Sequence, residues 1–264
     1  MRIFRVVIGT VLILALGLLA ALPWLVPLRG IRSTLLRRAR RTWARGLCWL
    51  LRVRVQLEPA DADLSGAALY AANHSSYLDI PVVMSVAPGV FVSKSSVRWW
   101  PVLGQLAVIG GTLFADRGNR FSIGQMVERA RRRLLSGTSI IFFPEATSSN
   151  GEGLLPFKSS LFAAAGEGAD GRQVPVRPLV LCYRRLNGRA LDVSSRDQVF
   201  WYGEMRLPGH LWNLLGAKRI EVTIKVLPER SLSGDRRRFA AALREDMLQA
   251  VEKPGTGAGG CASK

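Results

Sequence analysis

From residue 55 onward, short apolar, β-branched or aromatic runs alternate with amphipathic stretches, and a chain patterned this way packs helices against a sheet. Runs at residues 67–72, 90–93, 111–114, 138–143, 174–182 and 220–226 predict strands. The best marked helix is expected over residues 123–135. Ser122 and Gln125 have capping-box spacing there, Met126, Ala130 and Leu134 form a stripe, and Gly137 stands just past the end. A second amphipathic helix is expected over residues 232–252, and a frayed tail over 253–264. No internal repeat appears and nothing divides the alternation, so residues 55–252 read as one α/β domain.

The segment before it is of another kind. Residues 1–54 hold eleven Arg and no Lys, Asp or Glu, a large share of the formal charge of +18. Residues 6–28 carry no charge at all, and at about 1.5 Å per residue such a stretch reaches across a bilayer core. Pro23 and Pro27 end the helix early, leaving residues 3–22 as the expected membrane helix. A cleaved signal peptide is the rival, but the following Arg-dense segment resists translocation and the small-residue cleavage pattern is weak. Arg on that side places the domain in the cytoplasm.

At 100° per residue, Leu35, Leu36, Ala39, Trp43, Leu47 and Leu50 share one helical face, while Arg37, Arg38, Arg40, Arg41, Arg45 and Arg52 share the other. This amphipathic basic helix is expected at the interface, its Arg meeting the anionic lipids of the cytoplasmic leaflet. The alternative is a helix packed on its own domain with a solvated Arg face. Nucleic acid fits the charge less well, for no zinc-finger spacing or RNP-type strand accompanies it. Cys48, Cys182 and Cys261 are scattered and odd in number, which suggests neither disulfides nor zinc.

With His74 and His210 the only histidines, multi-His metal sites are excluded, and neither a G-x-S-x-G elbow nor a P-loop is present. His74 follows an expected strand and precedes the apolar residues 80–86. If His74 ends the strand-to-helix turn and Asp79 opens the helix, the carboxylate folds back onto the imidazole, fixes its tautomer and frees the other nitrogen as a base. By itself an H-x4-D match is weak, and a structural histidine is the commoner outcome.

Four blocks in order carry more. Asn73-His74-Ser75-Ser76-Tyr77-Leu78-Asp79, Gly111-Thr112-Leu113-Phe114-Ala115-Asp116-Arg117, Phe143-Pro144-Glu145-Ala146-Thr147-Ser148 and Val174-Pro175-Val176-Arg177-Pro178-Leu179 resemble the blocks of the PlsC-type lysophospholipid acyltransferases. Two positions depart: Ala146 stands where the family usually has Gly, and Ser148 where it usually has Arg. If that Gly is needed at positive φ, alanine costs on the order of 1 kcal/mol. The missing Arg weakens recognition of a bare phosphomonoester. Residues 155–162, 201–205 and 210–212 resemble the branch that acylates lyso-ornithine lipid.

The resemblance implies a glycerolipid acyltransferase-like fold, a mixed sheet flanked by helices. It also implies transfer of a fatty acyl group from acyl-CoA or acyl carrier protein, as co-substrates without a resident cofactor or metal, to a lysolipid hydroxyl. The expected acceptor is 1-acylglycerol-3-phosphate; lyso-ornithine lipid is the alternative. His74 is implied as base and Asp79 as its orienting partner, with Arg117, Glu145, Lys94, Thr147 and Lys158 on substrate. The implied location is the cytoplasmic side of a bacterial inner membrane. A reading of another class keeps the fold and membrane helix as a catalytically silent lipid-binding protein, motivated by Ala146 and Ser148.

Overall fold

The computed structural model describes residues 7, 9, 11, 15, 29–87, 89–100, 103–116, 118–167 and 171–251. The expected membrane helix over residues 3–22, Arg117, Cys261 and the tail at 253–264 lie outside them, save Val7, Gly9, Val11 and Ala15 of the first. Among the described residues, no helix is long and apolar enough to cross a membrane.

In chain order the elements are α1 (Arg29–Leu50), β1 (Val53–Glu58), β2 (Leu69–Ala72), α2 (Asp79–Val86), β3 (Val90–Lys94), a 3-10 turn (Ser95–Trp99), α3 (Leu103–Ile109), β4 (Leu113–Ala115), α4 (Arg120–Leu135), β5 (Ile140–Phe142), a 3-10 turn (Ser160–Ala164), β6 (Val176–Leu186), β7 (Arg189–Ala190), a 3-10 turn (Arg196–Gln198), α5 (Leu207–Leu214), β8 (Ile220–Val226) and α6 (Arg236–Ala250). The strand order is β1-β8-β6-β2-β5-β3-β4, with β7 hairpinned onto β6. From β6 to β4 all neighbours are parallel, and β8 runs antiparallel to β6. The sheet is therefore mixed, as expected. Strand β1, parallel to β8, was not anticipated, because its Val53-Arg54-Val55-Gln56-Leu57-Glu58 alternation follows on the Arg-dense segment.

Strands β2, β3, β5 and β6 divide their side chains between two cores. Tyr70, Ala72, Leu179, Leu181 and Ile224 meet α1, α2 and α5 on one face. Leu69, Ala71, Phe142, Val180 and Cys182 meet α4, α6 and the Ser160–Ala164 turn on the other. The Met126, Ala130 and Leu134 stripe of α4 is buried as its spacing predicts. Its cap differs. Asn119 Oδ1 accepts from Phe121 and Ser122 N–H, while the Ser122 hydroxyl accepts from Asp116 N–H. The cap thus falls three residues earlier than the capping-box spacing suggested, because Asn119 is the extended residue from which the helix starts.

Helix α1 packs one side on the domain. Leu36, Arg40, Ala44, Cys48 and Leu50 are buried, and Ala39, Trp43 and Leu47 half-buried, leaving Leu35 of the stripe exposed. Trp43 of that stripe packs with Ala44 and Cys48 against the domain's core. The cause is α2, whose Ile80-Pro81-Val82-Val83-Met84 needs an apolar cover on this side, and Arg41 Nε donates to Ser85 O at 3.1 Å to fix the crossing. Arg40, expected on the face that meets anionic lipids, is buried with Nε donating to Gly110 O at 3.1 Å, and burial, then Arg133, pulls its pKa down to about 10.

Candidate active site

Parallel strands deliver their carboxyl ends to one edge of the sheet, where ligands of α/β folds gather. Strand β2 ends at Ala72, and the chain leaves it at Asn73 and His74. The Asn73 amide bonds Leu181 twice, Nδ2 donating to its O at 3.1 Å and Oδ1 accepting from its N–H at 2.7 Å. Beyond it the backbone turns, and Asp79 is the first residue of α2.

That turn places His74 Nδ1 2.8 Å from Asp79 Oδ2. The same oxygen accepts from Ser75 N–H at 2.7 Å and Ser76 N–H at 2.9 Å, and Oδ1 accepts from the Tyr183 hydroxyl at 2.7 Å. Asp79 is fully buried, so these donors replace its lost hydration. Burial, then the Asp79 carboxylate, hold the Tyr183 phenol well above its usual range, which keeps it a donor. Since Oδ2 only accepts, Nδ1 carries the proton and Nε2 is left as the base. The imidazole stacks on Phe143 with centroids 4.0 Å apart and planes 7° apart, which sets its tilt. Its ring remains 19% exposed, open to an incoming hydroxyl.

Glu145 follows β5 on the same edge and is buried. Its Oε1 accepts from His74 N–H and its Oε2 from Leu155 N–H, each at 2.8 Å. The carboxylate thus ties the third block to the His74 turn and to the loop at residues 150–156, a structural task. Burial pushes its pKa from 4.5 up to about 6 against the pull of those two N–H groups. Because the folded state binds this proton more tightly than the unfolded chain, its contribution to stability is full below about pH 4.5, falls as pH rises to about 6 and is then constant. Chemical denaturation of wild type and Glu145→Gln across that window is expected to show a difference that changes by on the order of 1 kcal/mol. A constant difference overturns the assignment.

Ala146 adopts φ +64°, the left-handed region that the family's Gly at this position enters without strain. Ser148 is half-buried on the same loop, and Ser149 N–H bonds His74 O at 2.9 Å. Lys94 is exposed at the end of β3, Thr147 is exposed after β5, and Lys158 is exposed while its own N–H donates to Pro144 O at 2.8 Å. Topology brings Lys94 and Thr147 to the edge that carries His74. Cys48 and Cys182 are buried, and burial pushes the Cys48 thiol up to about 12, which makes it inert as a nucleophile.

The sequence missed Tyr183, Phe143 as the stacking surface, and the Tyr77 hydroxyl placed 2.9 Å from His210 Nδ1. Tyr183 stands one residue past the strand expected over 174–182, which in the structure runs on to Leu186. His210 joins Tyr77 and Trp201 in an aromatic cluster beside the turn, where Trp201 N–H donates to Ser75 O at 2.9 Å.

The family model described as Acyltransferase matches residues 52–182. A lyso-ornithine lipid O-acyltransferase of Pseudomonas aeruginosa is 36% identical over 81% of this chain and 78% of its own length. The chain belongs to the PlsC-type acyltransferase family. A lyso-ornithine lipid O-acyltransferase of Rhizobium meliloti is 36% identical over 70% of the chain, which spans 64% of that relative's length. A 1-acyl-sn-glycerol-3-phosphate acyltransferase of Neisseria meningitidis serogroup B is 31% identical over 68% of the chain and 67% of its own length. The crystal structure of PlsC from Thermotoga maritima has the same fold, with TM-score 0.64 and 21% identity over 94% of this chain and 93% of that one. In this PlsC-type chain the first and third blocks fall on the carboxyl edge built around His74, whereas residues 111–114 of the second line a separate cavity.

Proposed function

We propose that this protein transfers a fatty acyl group from a thioester, acyl-CoA or acyl carrier protein, to the free hydroxyl of a lysolipid. The observation that carries the reading is His74 held by its Nδ1 proton on Asp79 with Nε2 unbonded. His74 Nε2 takes the hydroxyl proton as the lysolipid oxygen attacks the thioester carbonyl carbon. A C–O bond forms, and the tetrahedral oxyanion collapses with breakage of the C–S bond. The imidazolium returns its proton to the departing thiolate, giving an ester and a free thiol. Asp79 stabilises the imidazolium between the two steps. Lys94, Thr147, Lys158 and Arg117 bind the anionic parts of acceptor and donor, and Glu145 acts on the acceptor through the loop it ties.

For the acceptor, 1-acylglycerol-3-phosphate is the reading that the N. meningitidis relative supports. Lyso-ornithine lipid has its own support in Ser148, which removes a guanidinium from the third block, and in the R. meliloti and P. aeruginosa relatives. Purified protein is to be given labelled acyl-CoA or acyl carrier protein with each acceptor. Turnover is expected, and Ser148→Arg is expected to shift the ratio of activities toward 1-acylglycerol-3-phosphate. No turnover with any pair overturns the enzyme reading and leaves the lipid-binding one; an unchanged ratio overturns the role given to Ser148.

The protein is also proposed to sit on the cytoplasmic side of the membrane, on the strength of the uncharged residues 6–28 and the Arg-rich flank. Removing residues 1–28, which also takes Gly9 off Leu50 of α1, is expected to move the protein to the soluble fraction. Retention in the membrane pellet after carbonate washing refutes this.

A further inference from the structure

Apart from the His74 edge, the fold holds a cavity of about 510 Å³ between α3, the edge strand β4 and α4. Its walls carry Arg98, Arg129, Arg132 and Arg133, and no carboxylate lines it. Among the described residues one acid pairs with this group, Glu128 at 3.3 Å from Arg132, and both of those side chains are well exposed. Arg133 is half-buried and donates to Gly111 O, just past α3, while the buried Arg40 donates to Gly110 O beside it. The cationic cluster is thus anchored from behind by main-chain carbonyls rather than by acids. Packing like charges this closely has a cost, which shows in Arg133, whose pKa is lowered by burial and then by Arg129.

Guanidinium groups converging on a cavity without carboxylates match the oxygens of a phosphate group, which they bind by paired N–H donors. We propose that the cavity walled by Arg98, Arg129, Arg132 and Arg133 is an anion site for a phosphate group, and that its occupant is a phospholipid headgroup. The rim argues for that source. Trp99 is 79% exposed, Trp100, Leu103 and Val108 are exposed on the same connection, and Arg98 lies 5.8 Å from the Trp99 ring centroid. Indole rings and aliphatic side chains standing in solvent beside arginines suit the boundary between headgroups and acyl chains. The site shares no lining residue with His74, Asp79 or Glu145, so it is independent of the acyl-transfer reading.

The test uses the full chain and the variant Arg98→Gln/Arg129→Gln/Arg132→Gln, with the three lysine replacements as a charge-retaining control. Binding is read by flotation with phosphatidylcholine vesicles, with and without phosphatidylglycerol, and by thermal shift in inorganic phosphate. Contributions of residues 1–28 are common to all forms and cancel in the ratio of the two vesicle affinities. Wild type is expected to gain affinity with phosphatidylglycerol, the glutamine variant to lose about tenfold or more of that gain, and the lysine variant to retain most of it. If instead phosphate stabilises wild type but not the glutamine variant, while vesicle binding is equal in both, the site stands but its occupant is free phosphate. Equal behaviour of wild type and glutamine variant in both measurements, with normal thermal unfolding, overturns the proposal.

Discussion

His74→Ala is expected to reduce acyl transfer by about three to four orders of magnitude while leaving the fold intact. A positioned general base contributes roughly 10²–10⁴ in rate, and here the base also returns the proton to the leaving thiolate. The imidazole ring makes one hydrogen bond, to Asp79, and a stack on Phe143, whereas its backbone N–H and O, bonded to Glu145 and Ser149, survive the substitution. Folding stability is therefore expected to change little. Turnover measured under single-turnover conditions, with circular dichroism melting in parallel, separates the effects. Activity within tenfold of wild type dismisses His74 as the base.

Asp79→Ala is expected to be different in kind. Catalysis falls through loss of the group that fixes the imidazole tautomer and opposes imidazolium charge, a loss of order 10²–10⁴. Stability falls too, because Ser75 N–H, Ser76 N–H and the Tyr183 hydroxyl all lose their acceptor in a buried place. Each stranded donor costs about 1–3 kcal/mol, so the variant is expected to unfold more easily by several kcal/mol. Adding Tyr183→Phe removes one stranded hydroxyl and is expected to recover part of that stability and none of the activity. A double variant no more stable than Asp79→Ala contradicts the buried network.

What the sequence made legible was local. His74 and Asp79 lie five residues apart, and the strand-turn-helix around them follows from apolar patterning over about twenty residues. Tyr183 is 104 residues from Asp79 and became visible only when β6 was laid beside β2. The same limit explains α1. Its packed face, Trp43, Ala44 and Cys48, is set by α2, an apolar helix whose exposed side the pattern does not reveal. Ala146 is the opposite case, since the departure from the family's Gly singled out a position that takes positive φ. Arg129, Arg132 and Arg133 are neighbours on α4, but only β4 and Arg98, from elsewhere in the chain, make them the wall of a cavity.

The double bond between the Asn73 amide and Leu181 has an engineering consequence. A carboxamide presents the same donor and acceptor as a peptide unit, so Asn73 extends the β2–β6 pairing past the last main-chain pair, Ala72 with Leu179, after the backbone has begun to leave the sheet. The H-x4-D turn is therefore not a portable heptapeptide. Grafted onto another scaffold, it would need a neighbouring strand offering one free peptide unit to Asn73 and, two residues on, a tyrosine for the aspartate. The smallest transplantable unit is two strands wide.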